Sequence, residues 1–137
     1  MLPLEDALAQ MLHQLPFPTK TETLALTEAA DRVCAEDVIS PINVPSFDNS
    51  AMDGYAVRLA DLQQSMTLSV AGKSFAGNPF QGEWVAQSAV RIMTGAMIPE
   101  GADAVVMQED VTVNEDSSVT FATLPKANQN IRRIGED

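Results

Sequence analysis

The chain has 137 residues, 45% of them hydrophobic, enough for one compact domain or two small lobes. Eight basic residues against 19 acids leave a formal charge of −11. That argues against a nucleic-acid or anionic-membrane surface, and a polyanion here would need a divalent cation, backbone N–H groups or a basic partner. The single cysteine, Cys34, excludes a disulfide framework. No apolar run approaches a membrane span, and MLPLEDALAQM lacks the basic start of a signal peptide. A reducing cytoplasm fits these features.

Leu4, Ala7, Leu8, Met11, Leu12 and Leu15 recur at three- and four-residue steps, with Glu5 and Asp6 in the first turn. This spacing predicts an N-terminal helix with one apolar face, stopped by Pro16 and Pro18. His13, the only histidine, has no cysteine or histidine partner at metal spacing and reads as structural or solvated. Residues 21–26 alternate weakly as an extended segment. Thr27 is a candidate N-cap for a short helix over 28–33, and Val38 and Ile39 resume an apolar strand. Pro41 and Pro45 then hold the backbone extended, which places a lobe boundary here. Residues 1–45 are expected to form the helix and a small mixed lobe, and 46–137 a β domain.

Beyond the prolines, strands are expected at 54–57, 67–71, 89–93, 104–108, 110–113, 119–123 and 131–133. The turn clusters GKSFAGNPFQGEW, TGAMIPEGAD and NEDSS separate them. Short, closely spaced strands predict an antiparallel sheet or barrel-like domain, so the expected class is α+β and mainly β. NIRRIGED reads as a strand with its exit turn, which suggests a continuation; the alternative is a frayed terminus.

FDNSAMDGYAVR, residues 47–58, concentrates residues that build turns and that also present oxygens and N–H groups to a metal or an oxyanion. Gly54 would allow a sharp corner that holds Asp53 at a strand's edge. A carboxylate there suits Mg²⁺, which accepts one or two carboxylates; the alternative is a plain Asp-Gly hairpin turn. Thr94 is expected at the end of the 89–93 strand, followed by Gly95. Its hydroxyl and nearby exposed N–H groups would cradle an oxyanion, or merely end the strand. Gln108-Glu109-Asp110 ends a strand that is apolar until Met107, and its two acids either face a cleft or form a charged turn. Arg132 and Arg133 either hold phosphate bidentately or form a surface salt-bridge cluster with Glu136 and Asp137. No P-loop, GxGxxG, HExxH, GxSxG or zinc-spaced Cys/His set occurs, and a Ser-His-Asp triad would rest on His13 alone.

VPSFDNSAMDGYAVR (44–58), RIMTGAMIPEGADAVVMQED (91–110) and NIRRIGED (130–137) together resemble one family. It is the N-terminal portion of the molybdopterin molybdenumtransferases, the MoeA proteins and the gephyrin E domain. AGKSFAG (71–77) and GEW (82–84) are similar to its bacterial branch. The resemblance implies a β domain of the MoeA N-terminal type. It also implies a reaction that inserts molybdenum from molybdate into adenylylated molybdopterin, releasing AMP, with Mg²⁺ required. Asp53 and Thr94 match active-site residues of the family, with Asp53 the implied metal ligand. Asn49, Ser50, Gly95, Arg132 and Asp137 are implied to bind substrate.

The family's proteins are elongated cytosolic homodimers. Their cleft lies between the β domain of one subunit and the pterin-binding domain of its mate. By resemblance, then, this chain supplies half a site, is inactive alone, and has an N-terminal helix that packs on a further domain. The alternative is a non-catalytic β domain that acts as a scaffold or self-association module. A metal-binding or protein-interaction domain that has lost the reaction is a more distant option.

Overall fold

The computed structural model describes residues 2–16 and 20–137, which divide into two compact units, Met1–Ile39 and Ser40–Asp137. The proline stretch goes with the second unit. There the Val44 carbonyl accepts from the Asp137 N–H (3.0 Å) and the Pro45 carbonyl from the Gly135 N–H (2.9 Å).

In the first unit, helix α1 spans Leu4–Gln14 as its apolar spacing predicts. It ends because Leu15, preceding Pro16, is extended at ψ 127°, the conformation a following proline imposes. The stop expected from Pro18 lies outside the described residues. No side chain of α1 is buried. The rest of the unit departs from expectation. A single 3₁₀ turn, Leu26–Glu28, takes in Thr27, and residues 29–33 are not helical. Asp31 adopts φ 61°, a left-handed conformation that no α-helix can continue through. Residues 21–26 and 38–39 form no strand, since no ladder partner faces them among the described residues.

The second unit is built on strands β1 (Asn49–Ser50), β2 (Gly54–Val57), β3 (Thr67–Ser74), β4 (Ser88–Ile92), β5 (Ala104–Met107), β6 (Val111–Val113), β7 (Val119–Phe121) and β8 (Ile131–Arg132). Six of them make one sheet in the order β5-β2-β4-β3-β7-β6, and β1 pairs with β8. All pairs are antiparallel except β3–β4. A parallel pair needs a crossover, and the loop 75–87 supplies it. Helix α2 (Leu59–Gln64) was not expected: six residues are too few for a periodic signal. It buries Leu62, and Asp61 holds Arg58 at 2.9 Å. Arg58 also lies 4.6 Å from the Trp84 ring and donates to the Trp84 and Val85 carbonyls, which fastens the crossover loop to the sheet.

Strand alternation separates two cores. Tyr55, Val57, Leu62, Leu68, Val106, Val119 and Phe121 pack on one side. Ala56, Val90, Ile92 and Val105 face the other, covered by Phe80, Trp84 and Ile98. Each buried Val, Leu, Ile or Phe contributes about 1.5–3 kcal/mol. The most enclosed strand is β2, with every residue buried between β4 and β5. Gly54 opens it, and its role differs from the expected sharp corner. Its φ is not left-handed; instead, a Cβ there would lie 1.9 Å from the Val106 carbonyl oxygen. The neighbouring strand simply leaves no room. No helix among the described residues is long and apolar enough to cross a membrane.

Candidate active site around Asp53 and Thr94

Asp53 immediately precedes β2, and Thr94 follows β4 by two residues. Gly54 is paired with Ile92, so the antiparallel register sets the two side by side. The Thr94 N–H and Oγ1–H both donate to Asp53 Oδ1, at 2.8 and 2.6 Å. These two bonds, hydroxyl first, hold the Asp53 carboxyl below its ordinary pKa, and the nearby Arg91 charge adds to the effect. Asp53 Oδ2 makes no hydrogen bond among the described residues.

The turn after Thr94 depends on Gly95, whose φ of 78° disfavours a side chain. Ser50 clips this turn: its carbonyl accepts from the Gly95 N–H (2.8 Å) and its N–H donates to the Ala96 carbonyl (3.0 Å). Ser50 is 1% exposed, and its Oγ donates to the Met52 carbonyl at 2.6 Å. Asn49 is buried as well, with Nδ2 donating to the Phe47 carbonyl at 3.4 Å. Both side chains therefore turn inward and shape the loop.

The free N–H groups expected around Thr94 are all engaged. Met93 donates to Ser74 O (3.2 Å), Thr94 to Asp53, Gly95 to Ser50 and Ala96 to Met93 O (3.0 Å). The close approach of the 49–53 loop consumes the cradle. What remains exposed is a set of acceptors: Asp53 Oδ2 and the lone pairs of Thr94 Oγ1. Such a set faces cations or hydroxyl donors rather than a bare oxyanion. No group of three or more His, Cys, Asp or Glu that could hold a metal occurs among the described residues. A single carboxylate oxygen still fits Mg²⁺, which keeps several waters and takes one or two carboxylates.

Arg132 and Asp137 lie beside this loop rather than on it. Strand β8 pairs with β1, placing Arg132 opposite Asn49 and Ile131 opposite Ser50. Arg132 is ion-paired with Asp137 and with Glu136 (3.3 Å), and Asp137 before Glu136 raises its pKa. Arg133 pairs with Asp48 and Asn128, and Asp48 also accepts from the Ile134 N–H at 2.8 Å. Among the described residues no hydrogen bond links Arg132 or Asp137 to Asp53 or Thr94.

Arg91 escaped sequence reasoning, and Gln108 was read only as part of a strand-end turn. Arg91 donates to the Gly54 carbonyl (2.9 Å) and to Gln108 Oε1 (2.6 Å), with its guanidinium 5.1 Å from the Tyr55 ring. The Gln108 N–H in turn donates to the Asp53 carbonyl at 3.0 Å. The available signal was one arginine inside the otherwise apolar run AVRIM.

Comparison with known proteins gives this geometry a context. The family described as the MoeA N-terminal region (domain I and II) matches residues 2–137. The molybdopterin molybdenumtransferase of Haemophilus influenzae is 78% identical over all of this chain and 34% of its own length. That of Bacillus subtilis is 38% identical over 99% of the chain and 33% of its own length. The chain thus spans about a third of these curated relatives. A crystal structure of the molybdopterin biosynthesis moeA protein from Pyrococcus horikoshii OT3 superposes with a TM-score of 0.77 at 36% identity. It covers all of this chain and 37% of that one, and it shares the mainly β, α+β architecture. On these matches, the chain belongs to the MoeA N-terminal family.

Proposed function

We propose that this chain is the N-terminal portion of a molybdopterin molybdenumtransferase, one that carries molybdenum from molybdate to adenylylated molybdopterin with release of AMP. The observation that carries the reading is the Asp53–Thr94 pair: an exposed threonine pinning a carboxylate by one oxygen and leaving the other outward. In this reading Asp53 Oδ2 holds Mg²⁺. When bound, the ion supplies positive charge against the phosphoanhydride of the substrate. Thr94 positions Asp53 and keeps it ionised. Asn49, Ser50 and Gly95 shape the loop, which places their part in substrate binding at the backbone. Arg132 meets substrate phosphate by exchanging it for the carboxylates of Asp137 and Glu136.

The acidity of the chain supports a division of labour. At a charge of −11, it attracts a divalent cation and repels a polyanion. The pterin pocket and its basic groups then belong to a further domain, contributed by the mate in a cytoplasmic homodimer. Alone, the chain is inactive. AMP release from adenylylated molybdopterin, with Mg²⁺ and molybdate, tests this. The chain by itself should give none, and a full-length protein should lose its turnover when Asp53 is replaced by asparagine. Turnover by the isolated chain would defeat the half-site reading. A full-length Asp53→Asn protein with unchanged turnover would remove Asp53 from the chemistry.

A second reading, a non-catalytic scaffold or self-association module, draws on Leu26, Val33, Val38 and Ile39, each at least 80% exposed. Sedimentation equilibrium tests it: concentration-dependent dimers that Val38→Asp abolishes would favour self-association, and a monomer would reject it.

A further inference from the structure

We propose that Arg91 and Gln108 form a clamp that positions Asp53 through its backbone. The links close a ring. The Gln108 N–H holds the Asp53 carbonyl (3.0 Å), and Gln108 Oε1 accepts from Arg91 (2.6 Å). Arg91 then donates to the Gly54 carbonyl (2.9 Å), and Gly54 is bonded to Asp53. Two consecutive carbonyls are thereby fixed, that of Asp53 by the Gln108 backbone N–H and that of Gly54 by the Arg91 side chain, and the Arg91–Gln108 side-chain bond ties the two together. Only a planar guanidinium spans this gap with two directed donors while stacking on Tyr55, 5.1 Å away.

The clamp acts where the ladder ends: Gly54 is paired with Ile92 and Met107, and Asp53 is the first residue beyond that pairing. Asp53 lies outside any strand, between β1 and β2, and its neighbour Met52 is exposed. Thr94 fixes only the far end of its carboxylate. Without the Arg91 and Gln108 side chains, only the Gln108 N–H and the Gly54 pairings would restrain the Asp53 backbone, and the carboxylate would be held less tightly. Arg91 and Gln108 touch neither metal nor substrate in this scheme. They act through Asp53, so the inference rests on the site proposed above.

The Thr94 amide is a direct reporter, because its proton is bonded to Asp53 Oδ1. Amide hydrogen exchange on this chain, free of metal, should show Thr94 exchanging roughly tenfold faster in Arg91→Met and in Gln108→Leu. The Phe121 amide, bonded to the Met66 carbonyl in the core, should change by less than about twofold. Gln108→Glu keeps the acceptor and should restore slow exchange. Arg91→Lys keeps the charge but loses the fork, so it should exchange fast. It serves as the second variant should Arg91→Met unfold the core.

A Thr94 amide as slow in Arg91→Lys and Gln108→Leu as in the parent would overturn the clamp. Titration with Mg²⁺ alone, followed by the Thr94 amide shift, separates this from the metal reading. Asp53→Asn should abolish the Mg²⁺ response, and Arg91→Lys should weaken it about tenfold. A response unaffected by Asp53→Asn would defeat the metal site while leaving the exchange result, and the clamp, standing.

Discussion

Gly54 follows Asp53 and Gly95 follows Thr94, yet they are glycines for different reasons. At Gly95 the backbone itself is left-handed, at φ 78°, and a Cβ would meet nothing within 4 Å. Gly95→Ala should therefore cost about 1–2 kcal/mol of conformational strain. At Gly54 the backbone is ordinary, but a Cβ would collide with the Val106 carbonyl at 1.9 Å. Since that contact is backbone to backbone, β2 and β5 must part. Gly54→Ala should cost about 3 kcal/mol or more, enough to unfold a marginal domain. Urea titration of both variants checks the order; a more damaging Gly95→Ala would refute the close-approach account.

Thr94 gives the other residue-scale prediction. Thr94→Val deletes the hydroxyl bond and keeps the amide bond, so the Asp53 carboxyl should titrate at a higher pH than in the parent, yet still below the ordinary value. Carbonyl-region NMR of labelled aspartate reads this directly. An unchanged titration would mean that the hydroxyl is not the leading cause of the shift. Asp53 and Thr94 were legible locally as strand-end residues beside glycine, and as site residues only by resemblance. That the N–H groups of Thr94 and Gly95 are spent was not legible, since their acceptors, Asp53 and Ser50, lie 41 and 45 residues earlier.

The β1–β8 ribbon is held at its open end by Asp48. Its carboxyl accepts from the Ile134 N–H and pairs with Arg133, and these, in that order, hold its pKa below the usual value. A carboxyl with a lowered folded pKa contributes stability that is fully present above the unfolded value of about 3.9. That contribution is lost as pH falls through the lower, folded value. Asp48→Asn should thus melt below the parent at pH 7, with the gap closing below about pH 4. Thermal melts across pH 2.5–7 test this. A gap that persists unchanged to the lowest pH would show that packing, not charge, explains the loss.

At this scale the sequence was read well where apolar residues form a run or a regular period and poorly where they do neither. Strand β2 appears at the expected residues because GYAV is a continuous apolar run ended by Arg58. Strands β4 and β5 follow for the same reason, within a residue or two. Helix α2 was hidden because its single buried leucine makes no period. The parallel β3–β4 pair was hidden because pairing partners are a tertiary property. The helix expected over 28–33 failed because Thr27 and a following acid mark a helical start, whereas Asp31 then turns left-handed.

Among the described residues, every buried one lies between Asn49 and Pro125. None of the described residues of Met1–Ile39 is buried. A fragment of residues 40–137 should therefore unfold as a single cooperative transition with a core of its own. The prolines set the finer boundary. Residues 44 and 45 offer carbonyls to Asp137 and Gly135, and those bonds close the segment that carries Arg132 against β1. We propose that the β domain begins before Pro41 rather than at residue 46. Fragment 46–137 should lose both acceptors, about 1 kcal/mol each, and expose the end of β8 to fraying. Fragment 40–137 should then melt above fragment 46–137, with the amides of residues 131–137 exchanging faster in the shorter piece. Equal melting and equal exchange would move the boundary back to residue 46, and the Val44 and Pro45 carbonyls would be incidental to holding Arg132 in place.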